Sequence, residues 1–303
     1  MDKKIKINTV FRKNLVYNTL GELDTNQPEY KVSETLFELP HGKPVKDTHW
    51  NADCQMEQQM VYSCTSDGFL LSEEMIDTDG TVLEKRTFEP DGSNLIACEL
   101  IHYADGSADR INYFRDPQNR VVRKEWYADD TELEAIETFE YEGDKIVKES
   151  KTDQDGNFIS ETIYNYNDQG KISELVVNNT EEETRYTKNY SYDERGNLVM
   201  ITVFNDEGVP VERVSYENDE NGRPISIIEE NRRQKITSAI EYNVRGEIIF
   251  QSEHDRHGQL IKQLEKTFDE SGLLLQTQVL VRDFHTGVSR SYILRNSYEF
   301  FNI

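Results

Sequence analysis

Eleven aromatic residues recur at almost constant intervals along this 303-residue chain. Phe11, Phe37, Tyr62, Phe88, Tyr113, Phe139, Tyr164, Tyr190, Tyr216, Tyr242 and Phe268 each lie 25 or 26 residues before the next. A fixed period of that length marks a stacked repeat protein, in which one small unit buries its apolar surface against its neighbours. Glycines divide each period. Gly68, Gly92, Gly143, Gly170, Gly196, Gly222, Gly246 and Gly272 follow a marker aromatic by four or six residues, and Gly80, Gly106, Gly156, Gly208 and Gly258 fall about midway between them. Each repeat therefore contains two turns.

Segments between turns, such as NLVMITVFNDE (197–207) and EIIFQSEHDRH (247–257), are rich in β-branched and aromatic residues. They are too short for a helix plus its connections and read as strands. Asp-Gly at 67–68, 79–80, 91–92, 105–106 and 155–156 is a hairpin signal, because glycine takes positive φ freely and Asp bonds its own turn backbone. The predicted fold class is all-β: tandem antiparallel β-hairpin repeats forming one long curled or solenoid-like sheet. Eleven periods of two strands give about 22 strands, and open sheets seldom pass about 10 without curling. The array is expected to coil or to close on itself. The marker aromatics are expected to stack across repeats as a ladder. Their presence in every repeat favours this role over a ligand platform.

The phrase YSYDERGNL (190–198), with Tyr190, Tyr192, Asp193, Gly196 and Leu198, resembles the YD repeat of bacterial Rhs-type proteins and of teneurins. The resemblance spans about 60–282. At Tyr216-Glu217-Asn218-Asp219 and Tyr242-Asn243-Val244-Arg245 the aromatic and the glycine remain but the Asp after Tyr does not. It implies hairpins joined edge to edge into a sheet that winds into a spiral or hollow shell. The chain then divides into an atypical N-terminal cap or repeats (1–60), a YD-like array (61–282) and a C-terminal cap (283–303). That last segment ends in an apolar Tyr298, Phe300, Phe301, Ile303 cluster.

Asp and Glu total 58 against 34 Lys and Arg, a net charge of −24. This disfavours nucleic acid, whose backbone requires a basic footprint, and suits a basic protein partner. Solubility of a large surface would also account for the charge. The densest acidic stretches, Glu181, Glu182 and Glu183, and the Glu217, Asp219, Glu220 turn, are the candidate partner-binding residues, expected on one surface. The opening residues lack the apolar run of a signal peptide, and no segment has the length of a membrane-spanning helix. Three cysteines without a CxxC fit a reducing compartment. The expectation is cytoplasmic, without membrane contact.

Motifs for chemistry are absent: no GxSxG, HExxH, Walker loop or GxGxxG. His254-Asp255-Arg256-His257 reads as a turn. Asp77-Thr78-Asp79-Gly80 and Asp153-Gln154-Asp155-Gly156 look like half a calcium loop without its glutamate, and read as hairpin turns. No catalytic, cofactor-binding or metal residue is expected, and no cofactor. With the Rhs resemblance, these features point to a non-enzymatic protein-binding repeat protein. It would be an immunity protein or chaperone of a bacterial toxin system, with a basic toxin domain as partner. The alternative is a carbohydrate-binding or cell-surface repeat protein whose aromatics line a groove.

Overall fold

The computed structural model describes residues 4–18, 20–283 and 287–302. Ile303, a member of the expected C-terminal apolar cluster, lies outside the described residues. Among the described residues twenty-two strands, from Ile5–Asn14 to Val288–Phe300, join in one antiparallel sheet. The hairpin-repeat reading holds, and each 26-residue period is one hairpin and its connection.

The solenoid-like reading does not hold, because the sheet closes. The first strand pairs with the second and also with the last, through Asn8↔Tyr298, Val10↔Asn296 and Arg12↔Leu294. Closure satisfies the backbone groups that two free edges would leave unpaired, which an open 22-stranded sheet would have to shield in some other way. Side chains reinforce the seam. Arg295 donates to both carboxylate oxygens of Glu29 at 2.9 and 2.7 Å, and its guanidinium lies 4.6 Å from the Phe11 ring centre. The first strand, within 1–60, and the last, within 283–303, are those that meet there.

The wall is a single layer with solvent on both sides. The accessible surface is 19011 Å², against about 13,000 Å² for a compact monomer of this mass. No large described side chain is fully buried. Charges stand on both faces of one strand: Glu73 pairs in register with Arg86 and its neighbour Glu74 with Lys85, and adjacent strand residues point to opposite faces.

The turns share one design, and it differs in detail from the Asp-Gly reading. At Asp77–Gly80, the Asp77 N–H donates to Thr81 O and the Gly80 N–H to Asp77 O. Asp77 Oδ1 accepts the N–H groups of Asp79 and Thr81, each at 2.9 Å. The organising carboxylate thus stands three residues before the glycine, and the adjoining Asp is spare. Asn167, Asp193, Asp219, Asn243 and Asp269 repeat the pattern. At 91–94 the register slips. Asn94, at φ 61°, takes the left-handed position instead of Gly92, because Asp91 leads the turn.

The aromatic ladder also takes a different form. Marker aromatics of successive repeats are two strands, about 10 Å, apart, with an intervening side chain between them. The rows run Tyr164↔Leu175↔Lys188 and Tyr190↔Ile201↔Val214. Among the described residues the rings in mutual contact are Tyr298 and Phe300, at 6.5 Å. The link between repeats is made by tyrosines at the strand ends, two positions beyond the marker at Tyr141, Tyr166 and Tyr192 and the marker itself at Tyr242.

Candidate functional site

Because the strands alternate in direction, the turns alternate between two rims. One rim carries turns 39–42, 65–69, 91–95, 116–120, 143–144, 167–171, 193–197, 219–223, 243–247 and 269–273, together with the chain ends. The other carries 51–55, 77–81, 103–107, 129–131, 154–157, 180–183, 206–209, 232–234 and 255–259.

At the first rim the hairpins are tied to one another. Paired backbone between Tyr166's strand and the preceding one stops at Lys148↔Ile163, so the strands splay and the Ile146 carbonyl loses a backbone partner. The Tyr166 hydroxyl fills the gap at 2.6 Å. Tyr141, Tyr192, Tyr242 and Tyr298 do the same to Val121, Ile172, Pro224 and Leu274, each at 2.8 Å. A cation from the preceding repeat covers the ring: Lys145 at 4.8 Å over Tyr166, Lys171 at 5.2 Å over Tyr192, Arg223 at 4.5 Å over Tyr242. Lys171 then reaches the Gly196 carbonyl, Arg120 the Gly143 carbonyl and Arg245 the Glu270 carbonyl of the next turn. These basic side chains are structural. Their trace in the sequence is a tyrosine at the strand end, the second of a Tyr-x-Tyr doublet at Tyr166 and Tyr192, and a Lys or Arg near the turn glycine.

The second rim uses its free turn positions for acid. Seven consecutive turns, from 51–55 to 206–209, contain Asp53, Asp77, Asp79, Asp105, Asp129, Asp130, Asp155, Glu181, Glu182, Glu183, Asp206 and Glu207 and no Lys or Arg. Glu181, Glu182 and Glu183 are exposed in the turn between strands Ile172–Asn179 and Thr184–Tyr192. The other predicted group does not join them. Glu217 is on the strand Pro210–Asn218 near its far end, and Asp219 and Glu220 are in the turn at the opposite rim. A strand of nine residues, about 30 Å long, separates the groups. Asp219 is moreover committed to its turn, accepting the N–H groups of Asn221 and Arg223 and pairing with the Arg223 guanidinium at 2.6 Å.

Titrating groups follow the turn design. Side-chain and backbone hydrogen bonds from Asn157, Asn197 and Arg223 hold the carboxyls of Asp153, Asp193 and Asp219 below the usual carboxylate range. On the face that carries the marker aromatics, burial and then the nearby Glu149 push the Tyr164 phenol up to about 12, so it stays a donor to Glu149 Oε1 at 3.1 Å. Burial and Glu99 raise Tyr113 in the same way, and its hydroxyl donates to Glu99 Oε2 at 3.0 Å. Among the described residues, no three His, Cys, Asp or Glu side chains converge as a metal site would require. His257 lies in the turn read from the sequence, and the three cysteines are unpaired.

No protein-family model matches the chain, and no curated protein is similar to it in sequence. Among solved structures, a chain of the TcdB2-TccC3-Cdc42 crystal structure is similar over 90% of this chain and 15% of its own length, at 12% identity and a TM-score of 0.53. TcdB2-TccC3 without its hypervariable C-terminal region is 11% identical over 93% of this chain and 17% of that chain, with a TM-score of 0.42. A porin-like protein from Bacteroides uniformis is 11% identical over 96% and 97% of the two chains, with a TM-score of 0.35. The first likeness concerns the fold alone, and this chain spans a small part of that protein. The other two backbones are too far apart to add to it.

Proposed function

We propose that this chain is a non-enzymatic protein-binding protein that receives a basic partner on its acidic rim, as an immunity protein or chaperone of a bacterial toxin system would receive a basic toxin domain. The observation that carries the reading is the run of seven consecutive turns that bear carboxylates and no cation. Most turns on this rim need only a leading Asp or Asn and a residue able to take positive φ three positions on, and those led by Tyr103 and Ala128 dispense with the first. The remaining positions are free, and here they are spent on one sign of charge. Such a field raises the rate of encounter with a complementary surface. The surface is also firm at the turns led by Asn51, Asp77, Asp153 and Asn179, whose side chains each accept two backbone N–H groups. Binding there costs little ordering entropy.

An aqueous location fits the same reading. A transmembrane barrel needs an outward apolar band about 25 Å tall. Here Lys124–Glu137 at 2.9 Å stands on one face and Lys148–Glu161 at 2.7 Å on the other. The free thiols of Cys54, Cys64 and Cys98 suit a cytoplasm.

The test is capture from the native host with tagged chain, alongside a variant with Glu181, Glu182 and Glu183 changed to Gln and Asp206 and Glu207 to Asn and Gln. A basic protein held by the first and lost by the second supports the reading. A partner held equally by both places recognition elsewhere on the barrel.

A further inference from the structure

The acidic rim changes sign at one place. Its two turns after 206–209 read Asn231-Arg232-Arg233-Gln234 and Asp255-Arg256-His257-Gly258-Gln259. Between them, and against the end of the strand Leu274–Asp283, opens a cavity of ≈ 610 Å³. Arg233, Lys235, Arg256 and Arg282 line it, against two carboxylates, Asp255 and Asp283. None of these four cations forms an ion pair with a described residue. Arg256 donates to the Arg233 carbonyl, which draws the two turns together over the cavity. Asp255 neutralises little of this charge, because its Oδ1 already accepts the N–H groups of His257 and Gln259 at 2.8 and 2.9 Å.

We propose that this notch is an anion site for a small molecule carrying two or more linked phosphate groups. Guanidiniums without an ion pair among the described residues, two from turns and one from a strand end, present forked donors that match phosphate oxygens two at a time. Three of them and an ammonium exceed what one carboxylate ligand could use. The cavity volume lies in the range of small-molecule sites, about 300–1,000 Å³. Ile236 and Ile261 give it an apolar part on which a non-phosphate moiety would rest. The net charge of −24 does not cancel this, since neighbouring turns on a rim are about 10 Å apart and exposed charges are screened beyond about 8 Å at physiological ionic strength.

The test is titration calorimetry of the full chain with inorganic pyrophosphate and, separately, with ATP, at physiological ionic strength. Saturable one-site binding is expected. It should weaken about tenfold in Arg233→Gln and again in Arg282→Gln, because a charge-assisted hydrogen bond is lost each time. Neither side chain bonds to a described residue, so both variants should fold as the parent does. Arg195→Gln, in a turn of the opposite rim, should bind as the parent does. Tighter binding of ATP than of pyrophosphate would place the nucleoside on the apolar part; equal affinity would confine the ligand to its phosphates. No saturable binding of either probe, or equal weakening by Arg195→Gln, would overturn the proposal.

Discussion

The two rims of this barrel are built from the same turn and put its free positions to opposite uses. At Gly196 the turn is held from outside: Lys171 crosses from the preceding repeat to its carbonyl and lies over the Tyr192 ring. At Gly156 the same backbone conformation, φ 84° against 82°, is held by Asp153 alone, which accepts N–H groups from Asp155 and Asn157. The difference shows what a hairpin array can vary. Closing each hairpin consumes two residues of the turn. The rest can bind the next repeat, as on the tied rim, or face outward, as on the acidic one.

The largest expected effect removes what both rims depend on. Ile293 sits in the last strand, in register with Lys13 on one side and Gln278 on the other. Ile293→Pro deletes a ladder hydrogen bond at the closure and should cost about 3 kcal/mol or more, read as a lower urea midpoint. Loss of only a few tenths would mean that the seam contributes little and that the ring is in effect open.

A glycine pair separates the rims. Gly156→Ala meets only the backbone penalty of a left-handed residue, about 1–2 kcal/mol, since nothing lies within 4 Å of the added methyl. Gly196→Ala meets that penalty and also displaces the Lys171 ammonium, adding about 1 kcal/mol for the lost carbonyl and ring contacts. Equal destabilisation would show that the cation crossing is not a tie.

Tyrosine hydroxyls make a finer comparison. Tyr192→Phe leaves the Ile172 carbonyl without its donor and should cost about 1 kcal/mol. Tyr103→Phe, at the acidic rim, removes an exposed bond to Asp109 and should change the melting temperature hardly at all.

The smallest effect is in pH. Asp153, Asp193 and Asp219 have folded-state pKa values below their ordinary 3.8. A depressed carboxyl contributes stability that is full above the unfolded value and fades as pH falls through the folded one. Acid melting below 3.8 should therefore act on both rims alike. Asp193→Asn should keep the turn, as Asn167 and Asn243 do in their own turns, while flattening its share of the pH response. A fall in stability at neutral pH would mean that the negative charge matters beyond its acceptor geometry.

Much of this architecture can be read in the residues, because it is periodic. The aromatic interval and the two glycine series give hairpins, their number and most of their turns. Closure is not written locally: it depends on register between Val10 and Asn296, residues at opposite ends of the chain, which no repeat-level pattern encodes. Gly92 misleads because an Asp-Gly pair looks alike whether its Asp leads the turn or ends it, and only Asn94's backbone decides. The acidic candidates split for a geometric reason. Glu181–Glu183 and Glu217–Glu220 are close in sequence, but they lie on either side of one strand length, which carries them to different rims. The tie made by Tyr192 was visible as the second tyrosine of YSYD, yet its carbonyl partner appears only once strands splay.

Whether the acidic rim, and not the tied one, meets a basic partner can be decided by association rates across a salt series. Three chains would be compared: the parent, Glu181→Gln/Glu182→Gln/Glu183→Gln, and Glu194→Gln/Glu217→Gln/Glu220→Gln, the last two carrying the same charge change on opposite rims. Each is measured against one basic partner captured from the host. On-rate should fall steeply with salt for the parent and the tied-rim variant, with a slower, flatter profile for the acidic-rim variant alone. Equal profiles for the two variants, or an on-rate indifferent to salt in the parent, would contradict it.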